Sequence, residues 1–258
     1  MDWKRESEMF NQMSDYYDQY RPSYPAEIIR TLIEETGIRQ GSKLLEIGAG
    51  SGKATELLAN GGYEILAVDP GKDLIEVGKK KFTDPSIKFE AARFEDCRLP
   101  AGYYDVVYSA QAFHWIPQPI GYEKCAYALK DNGFLALFWN MYIMYNNDDD
   151  KELYSISKRH GGFADFLSEN ECEDRILSIS AAIENSRLFS RPRVYRKLWN
   201  HRYTVDDYYG FALTSNSFIQ QTEKEKMETK TELKALADKN NGIILRPYLC
   251  VLYIALKL

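Results

Sequence analysis

The chain has 258 residues, a net charge of −5, 45% hydrophobic and 28% charged residues, which is the balance of an ordinary globular protein. That length suits one large domain, or one domain with an inserted cap, and the acidic balance argues against a non-specific nucleic-acid binder. The most apolar run, residues 134–145, is too short to span a bilayer and reads as a central strand.

The four cysteines, Cys97, Cys125, Cys172 and Cys250, are far apart with no Cys-x-x-Cys pair. Neither a zinc site nor a disulfide framework is expected, and no metal site is predicted. Reduced, buried thiols fit a cytoplasmic protein. The N-terminus, Met1-Asp2-Trp3-Lys4-Arg5-Glu6, is charged and lacks the apolar stretch of a signal peptide. Aromatic residues make up 14% of the chain, 19 of them tyrosines. Such a chain can line an apolar pocket that still offers hydroxyls.

In chain order, Phe10, Met13, Tyr16, Tyr17 and Tyr20 recur at spacings of three and four, which predicts an apolar helix face over residues 8–24. Arg21-Pro22-Ser23-Tyr24-Pro25 breaks it. Pro25 opens a second helix, with Ile28, Ile29, Leu32 and Ile33 on one side and Gly37 as the stop. Residues 43–47 then read as a short buried strand. It bends through Gly48, Ala49, Gly50, Ser51 and Gly52 into a helix over 53–60, halted by Gly61-Gly62.

A glycine-rich turn from strand to helix lets a ligand approach the backbone and offers it free N–H groups. The spacing is Glu-x-Gly-x-Gly-x-Gly, not the Gly-x-Gly-x-x-Gly of dinucleotide sites. Glu46 closes the strand where dinucleotide enzymes present pyrophosphate, which a carboxylate would repel. A cationic ligand such as S-adenosylmethionine (SAM), with its sulfonium and ammonium, would be attracted instead. Residues 65–69 form the next predicted strand and end in a second acid, Asp69, about 20 residues on, the distance expected of a ribose-hydroxyl acceptor.

A helix over 72–82, a turn at Asp84-Pro85-Ser86 and a third strand over 87–91 follow. Residues 104–109 read as the fourth strand, and a helix over 121–129 follows Pro117. Asp131-Asn132-Gly133 turns into the fifth strand, 134–140. This alternation predicts a doubly wound, mainly parallel sheet whose ligands lie beyond the carboxyl ends of the strands. Glu46, Asp69, Phe94, His114 and Asn140 all fall at such ends. Beyond Asn140 the pattern changes. Residues 151–185 read as helices, 194–203 as a strand, 205–214 and 222–239 as helices, and 248–258 as a final apolar strand.

These motifs resemble those of class I SAM-dependent methyltransferases, of the type 11-like kind. Leu44-Glu46-Gly48-Gly50-Gly52 is similar to that family's first motif and Val68-Asp69-Pro70 to its second. Arg93-Phe94-Glu95-Asp96 with Leu99-Pro100 resembles the adenine-side segment. Residues 104–115, ending in Gln111-Ala112-Phe113-His114-Trp115, resemble the segment at and after the fourth strand, in the wording of a trans-aconitate-type small-molecule branch. The resemblance implies a Rossmann-like seven-stranded sheet with the last strand antiparallel, and SAM as cofactor. It implies cofactor contacts from Glu46, Gly48, Ala49, Gly50, Ser51, Gly52, Asp69, Pro70, Arg93, Phe94, Ala110 and Gln111. Many relatives carry an acid where Arg93 stands. Arginine cannot accept a hydrogen bond, so adenine recognition is expected to rest on backbone groups and the Phe94 neighbourhood.

The expected organisation is one domain over 1–258: a lid over 1–24, a SAM-binding core over 25–140, a helical cap over 141–190 and the C-terminal part of the sheet over 191–258. The Phe-x(6)-Tyr-x-x-Tyr-Arg-Pro-x-Tyr-Pro pattern resembles the lid of some small-molecule methyltransferases. Tyr17, Tyr20, Arg21, Trp115 and Asn140 are the expected substrate and lid residues. Methyl transfer from a sulfonium requires alignment and removal of water, and a base only if the acceptor must lose a proton. His114 is the candidate base, against a plain structural role in the loop after the fourth strand. The acceptor expected is a small molecule, a carboxylate or hydroxyl, with no nucleic acid or membrane partner. The alternatives are a SAM-binding protein that acts on a macromolecule or does not turn over, and a nicotinamide oxidoreductase, which Glu46 and the glycine spacing oppose.

Overall fold

The computed structural model of the protein describes residues 18–145 and 147–258. Tyr17 and most of the expected lid helix lie outside the described residues. Helix α1 (Ala26–Thr36) buries Ile28, Ile29 and Leu32 and ends on left-handed Gly37, a position that favours glycine because it has no Cβ. The core then alternates as the sequence predicts, through β1 (Lys43–Ile47), α2 (Lys53–Leu58), β2 (Glu64–Asp69), α3 (Lys72–Lys81), β3 (Ile87–Ala91), β4 (Tyr104–Ala110), α4 (Ile120–Ala128) and β5 (Leu129–Met141). After these come α5 (Asp148–Arg159), α6 (Glu169–Asn185), β6 (Arg193–Tyr203), α7 (Val205–Ala212), α8 (Asn216–Ile219), α9 (Glu223–Lys239) and β7 (Ile244–Leu256).

The seven strands form one sheet in the order β3-β2-β1-β4-β5-β7-β6. Strands β1 to β5 are parallel, and β7 runs antiparallel to both of its neighbours. The Rossmann-like α/β fold expected from the sequence is the fold observed. Strands β1 and β4 are buried along almost their whole length, so consecutive apolar residues, Leu44-Leu45 and Val106-Val107, replace alternation. Both faces are covered: one core gathers Leu44, Ile65, Val106 and Phe138 beneath α1 and α3, and the other gathers Leu45, Val107, Leu137 and Val251.

Two strand starts differ from expectation by more than one residue. Strand β5 begins at Leu129 rather than after the 131–133 turn, because its ladder with β4 pairs Tyr104 with Leu129, then skips to Val106 with Phe134. The turn is carried as a bulge, with Asn132 at φ 65°. Strand β7 starts at Ile244, four residues early, because Ile244 still finds a partner in Tyr203 of β6.

The helices after β5 divide. Ser168 and Glu171 form a capping box at the start of α6. Its buried Cys172, Ile176 and Ile183 join Val251, Tyr253 and Ala255 in the core on one sheet face. Helix α6 is therefore a sheet-covering helix, not part of a cap. Helix α5 belongs to a separate core, in which Leu153 and Ile156 meet Tyr208 and Phe211 of α7, Phe218 of α8 and Leu233 and Leu236 of α9. Tyr203 and Tyr248, from β6 and β7, anchor it. Because Met141 pairs with Leu249, residues 244–248 of β7 overrun the carboxyl end of β5. The helical unit stands on that overhang, at the end of the sheet where the glycine loop lies.

Candidate functional site

The glycine loop is built by three left-handed glycines with three different jobs. Gly48, at φ 69°, lies so close to Ala112 that a Cβ would collide with that residue's own. The loop therefore packs on the segment after β4. Gly50, at φ 56°, has no atom within 4 Å of where a Cβ would stand, and it lines a cavity with Gly48, Ala49 and Ser51. Gly52, at φ 90°, faces the rings of Phe82 and Phe89, which a Cβ would meet at 2.6 and 2.9 Å. It is not among the residues lining the cavity, and its lack of a Cβ serves aromatic packing.

Two acids frame this loop. Asp69 Oδ2 accepts the Gly50 N–H at 2.9 Å and Oδ1 accepts the Gly71 N–H at 2.7 Å. The carboxylate thus fixes the loop it faces, while burial raises its pKa against those two bonds. Glu46 is buried; its Oε2 accepts from the hydroxyls of Thr55 and, at 2.8 Å, Tyr108. Burial pushes its pKa up to about 7, opposed by the two hydroxyl bonds and assisted by the nearby Asp69 charge. Glu46, Asp69 and Pro70 all line the cavity.

The cavity continues past Arg93, Phe94 and Glu95. Phe94 is buried under the Lys124 ammonium, which stands 5.6 Å from its ring centre. Arg93 pairs with Glu95 at 3.3 Å. Glu95, quoted in the adenine-side segment but not among the expected contacts, lines the cavity as well. On the opposite wall stand Ala110, Gln111, Ala112, Trp115, Ile116 and Asn140. Tyr142, two residues beyond Asn140 and so on the same side of the strand, completes that wall and was also missed.

Residues 18–24 cross the mouth as a strap. Ser51 Oγ donates to Asp18 at 2.5 Å, and Asn140 Nδ2 donates to the Ser23 carbonyl at 2.9 Å. Arg21 Nε donates to Thr214 Oγ1 and Nη1 to Tyr142 Oη, both at 2.7 Å, with its guanidinium 4.8 Å from the Phe211 ring centre. Arg21 lines the cavity. Tyr20 does not, because its ring lies where a Cβ on Gly210 of α7 would be.

His114 is likewise not among the lining residues. It sits in the short 3-10 turn Phe113–Trp115, and its Nδ1 accepts from the Trp139 indole at 3.3 Å. Partial burial of the ring, then the Arg175 charge, holds its pKa below the ordinary histidine value. The expected base is thus an exposed side chain bonded to Trp139, beside Trp115 of the cavity wall. Among the described residues no group of three or more histidine, cysteine, aspartate or glutamate side chains is arranged to hold a metal, and no helix is long and apolar enough to cross a membrane.

Residues 45–137 match the family described as a methyltransferase domain. Those residues carry a methyltransferase domain. An uncharacterized methyltransferase of Schizosaccharomyces pombe is 36% identical over 126 residues, covering 48% of this chain and 49% of that protein. A provisionally named S-adenosylmethionine-dependent methyltransferase of Saccharomyces cerevisiae is 28% identical over 162 residues, covering 60% and 54%. The chain thus spans about half the length of the curated relatives it matches. A provisionally named type II methyltransferase of Anaeromyxobacter dehalogenans has the same fold, with a TM-score of 0.65 at 21% identity over 91% of this chain and 97% of that one. SAM is the cofactor. The site's donor set fits it: two carboxylates suit an ammonium and a pair of ribose hydroxyls, and the open space over Gly50 admits a ligand against the backbone.

Proposed function

We propose that this chain is an enzyme that moves the methyl group of SAM to a small-molecule acceptor bearing a carboxylate or hydroxyl. The observation that carries the reading is the continuity of one cavity, from Glu46 and Asp69 at the glycine loop to Arg21, Asn140 and Tyr142 beside the helical unit. That unit, α5 with α7 to α9, is read as the cap, and residues 18–24 as the inner edge of the lid. The Gln111-Ala112-Phe113-His114-Trp115 segment supports the trans-aconitate-type branch.

When bound, the cofactor supplies an electrophilic methyl on a sulfonium and leaves as a neutral thioether. The chain's own residues hold and orient. Asp69 takes the ribose hydroxyls, using the lone pairs left after its two backbone bonds. Glu46 meets the ammonium, and Phe94, Arg93 and Glu95 edge the adenine. Arg21 and Tyr142 face the acceptor, and the strap excludes water, which strengthens each polar contact inside. A carboxylate acceptor is already ionised at neutral pH and needs no base, which agrees with His114 being bonded to Trp139 and not among the residues lining the cavity. The four free, buried cysteines support a reducing, cytoplasmic setting.

Labelled SAM incubated with the chain and a fractionated cell extract tests the reading. Label should pass to the small-molecule fraction. Label in protein or nucleic acid, or cofactor binding with no transfer, would establish the macromolecular or non-catalytic alternative instead.

A further inference from the structure

Arg246 lies on β7, inside the overhang that carries the helical unit, and is fully buried. A guanidinium keeps its charge at any working pH, and burying it unpaired is costly. Here its Nη2 donates to the Asp165 carbonyl at 2.5 Å, while Nε and Nη1 have no hydrogen-bond partner. Its Cζ lies 3.8 Å from the Phe166 ring centre and 5.5 Å from that of Tyr142. Asp150 lies within its field, yet among the described residues no carboxylate oxygen comes within 4.0 Å of it. The Asp150 carboxylate is occupied by the Tyr145 N–H at 2.8 Å and the Asn147 amide at 3.0 Å.

A second orphan belongs to the same core. The hydroxyl of Tyr208, which the Arg246 charge also reaches, is buried without a partner. Tyr203 and Tyr248 bond to each other at 2.8 Å and so do not satisfy it. Tyr142 alone of these rings lines the cavity, and its hydroxyl is held by Arg21. The Tyr142 ring therefore stands between the cavity and the buried cation, and the unsatisfied phenol lies in the core packed behind it.

Resting on the proposed function, we propose that Arg246, assisted by the Tyr208 hydroxyl, anchors an oxyanion of the methyl acceptor, a carboxylate or a phosphate, admitted from the cavity by displacement of the Tyr142 ring. The charge-assisted bonds would fall to the two nitrogens that lack an acceptor. An arginine serving only to brace the 165–167 linker needs Nη2 and its ring faces; it does not need an orphaned phenol beside it.

Calorimetry on the full chain, saturated with S-adenosylhomocysteine, tests the proposal with succinate and inorganic phosphate as separate probes at matched ionic strength. At least one probe should bind saturably, and which one does distinguishes carboxylate from phosphate. Arg246→Met should weaken it on the order of tenfold or more. Tyr208→Phe removes only a hydroxyl that bonds nothing in the fold, so it should leave thermal stability in place and still weaken the probe several-fold. That variant decides the matter if Arg246→Met does not fold. S-adenosylhomocysteine affinity should be unchanged in both variants. Probe binding that Tyr208→Phe leaves unaltered, or no saturable binding of either probe by a wild type that still binds S-adenosylhomocysteine, would overturn the anchor. Absence of S-adenosylhomocysteine binding by the wild type would instead overturn the cofactor reading beneath it.

Discussion

Gln111 and Asn140 are tied by two hydrogen bonds: Gln111 Oε1 accepts the Asn140 backbone N–H at 3.1 Å, and Gln111 Nε2 donates to the Asn140 carbonyl at 3.2 Å. The pair joins the carboxyl ends of β4 and β5, where the cavity wall changes from cofactor side to cap side. Gln111 holds this place at φ 61°, a conformation that costs a non-glycine residue about 1–2 kcal/mol. Gln111→Ala keeps the backbone cost and loses both bonds, so it should destabilise the fold by about 1–3 kcal/mol. Gln111→Gly loses the bonds but relieves the backbone, and should cost less. Chemical denaturation of the two variants checks the order; an alanine variant as stable as the glycine variant contradicts a strained residue held by its side chain.

Glu46 should couple cofactor binding to the release of a proton. Its folded pKa of about 7, against 4.5 for an ordinary glutamate, means the ligand-free fold binds more protons than the unfolded chain between those values. This group's contribution to stability is therefore greatest below pH 4.5 and declines as pH rises towards 7. A cation bound beside it reverses the preference. SAM binding should then release about half a proton at pH 7 and close to one at pH 6, and affinity should fall as pH drops through that range. Calorimetry in buffers of differing ionisation enthalpy measures the release, which should vanish in Glu46→Gln. Equal proton release in both proteins would assign it to another group.

The three glycines and Asp69 make separable predictions. Asp69→Ala should weaken SAM by roughly 1.5–3 kcal/mol, through lost ribose bonds and a loosened Gly50 N–H. Gly50→Val should weaken it further, since the side chain enters the ligand's space and the left-handed backbone is strained. Gly52→Ala should act first on stability, because its Cβ meets Phe82 and Phe89. Paired melting curves and SAM titrations separate these. A Gly52→Ala protein that melts normally yet loses the cofactor would assign Gly52 to the binding loop.

The cofactor half of the site was legible because it is local in sequence. The turn chemistry of Gly48 and Gly50, and the strand-terminal Glu46 and Asp69, lie within one strand-turn-helix-strand run, where spacing alone fixes geometry. The cap was not local. It assembles α5 with α7 to α9 across the intervening α6 and β6, and the amphipathic pattern of α6 does not say which surface it covers. The packing of Gly52 on Phe82 and Phe89 was not legible, because the left-handed backbone of a ligand turn and of a packing turn read alike. Arg246 passed unnoticed inside an apolar strand, and its burial follows from the early start of β7.

His114 supplies the last test, since the sequence nominated it as a base and its ring is bonded to Trp139. Its Nδ1 is engaged by the Trp139 indole, and among the cavity's lining residues stands its neighbour Trp115 but not His114 itself. A general base must lie within hydrogen-bond reach of the proton it takes, directly or through one water. His114→Asn should therefore leave turnover within a few-fold of wild type, whereas loss of a working base costs on the order of 10²–10⁴ in rate. Its effect should fall on stability. Because its folded pKa is lowered below 6.5 by burial and by Arg175, the contribution is present above that ordinary value and is lost as pH falls through the folded one. Wild type should thus lose stability below neutral pH more steeply than His114→Asn, with turnover at neutral pH little changed. Melting temperatures and rates measured across the same pH series check both halves. A large rate loss in His114→Asn, with SAM affinity intact and the acid limb of the rate profile abolished, would make His114 catalytic and require the 3-10 turn to rotate it into the cavity.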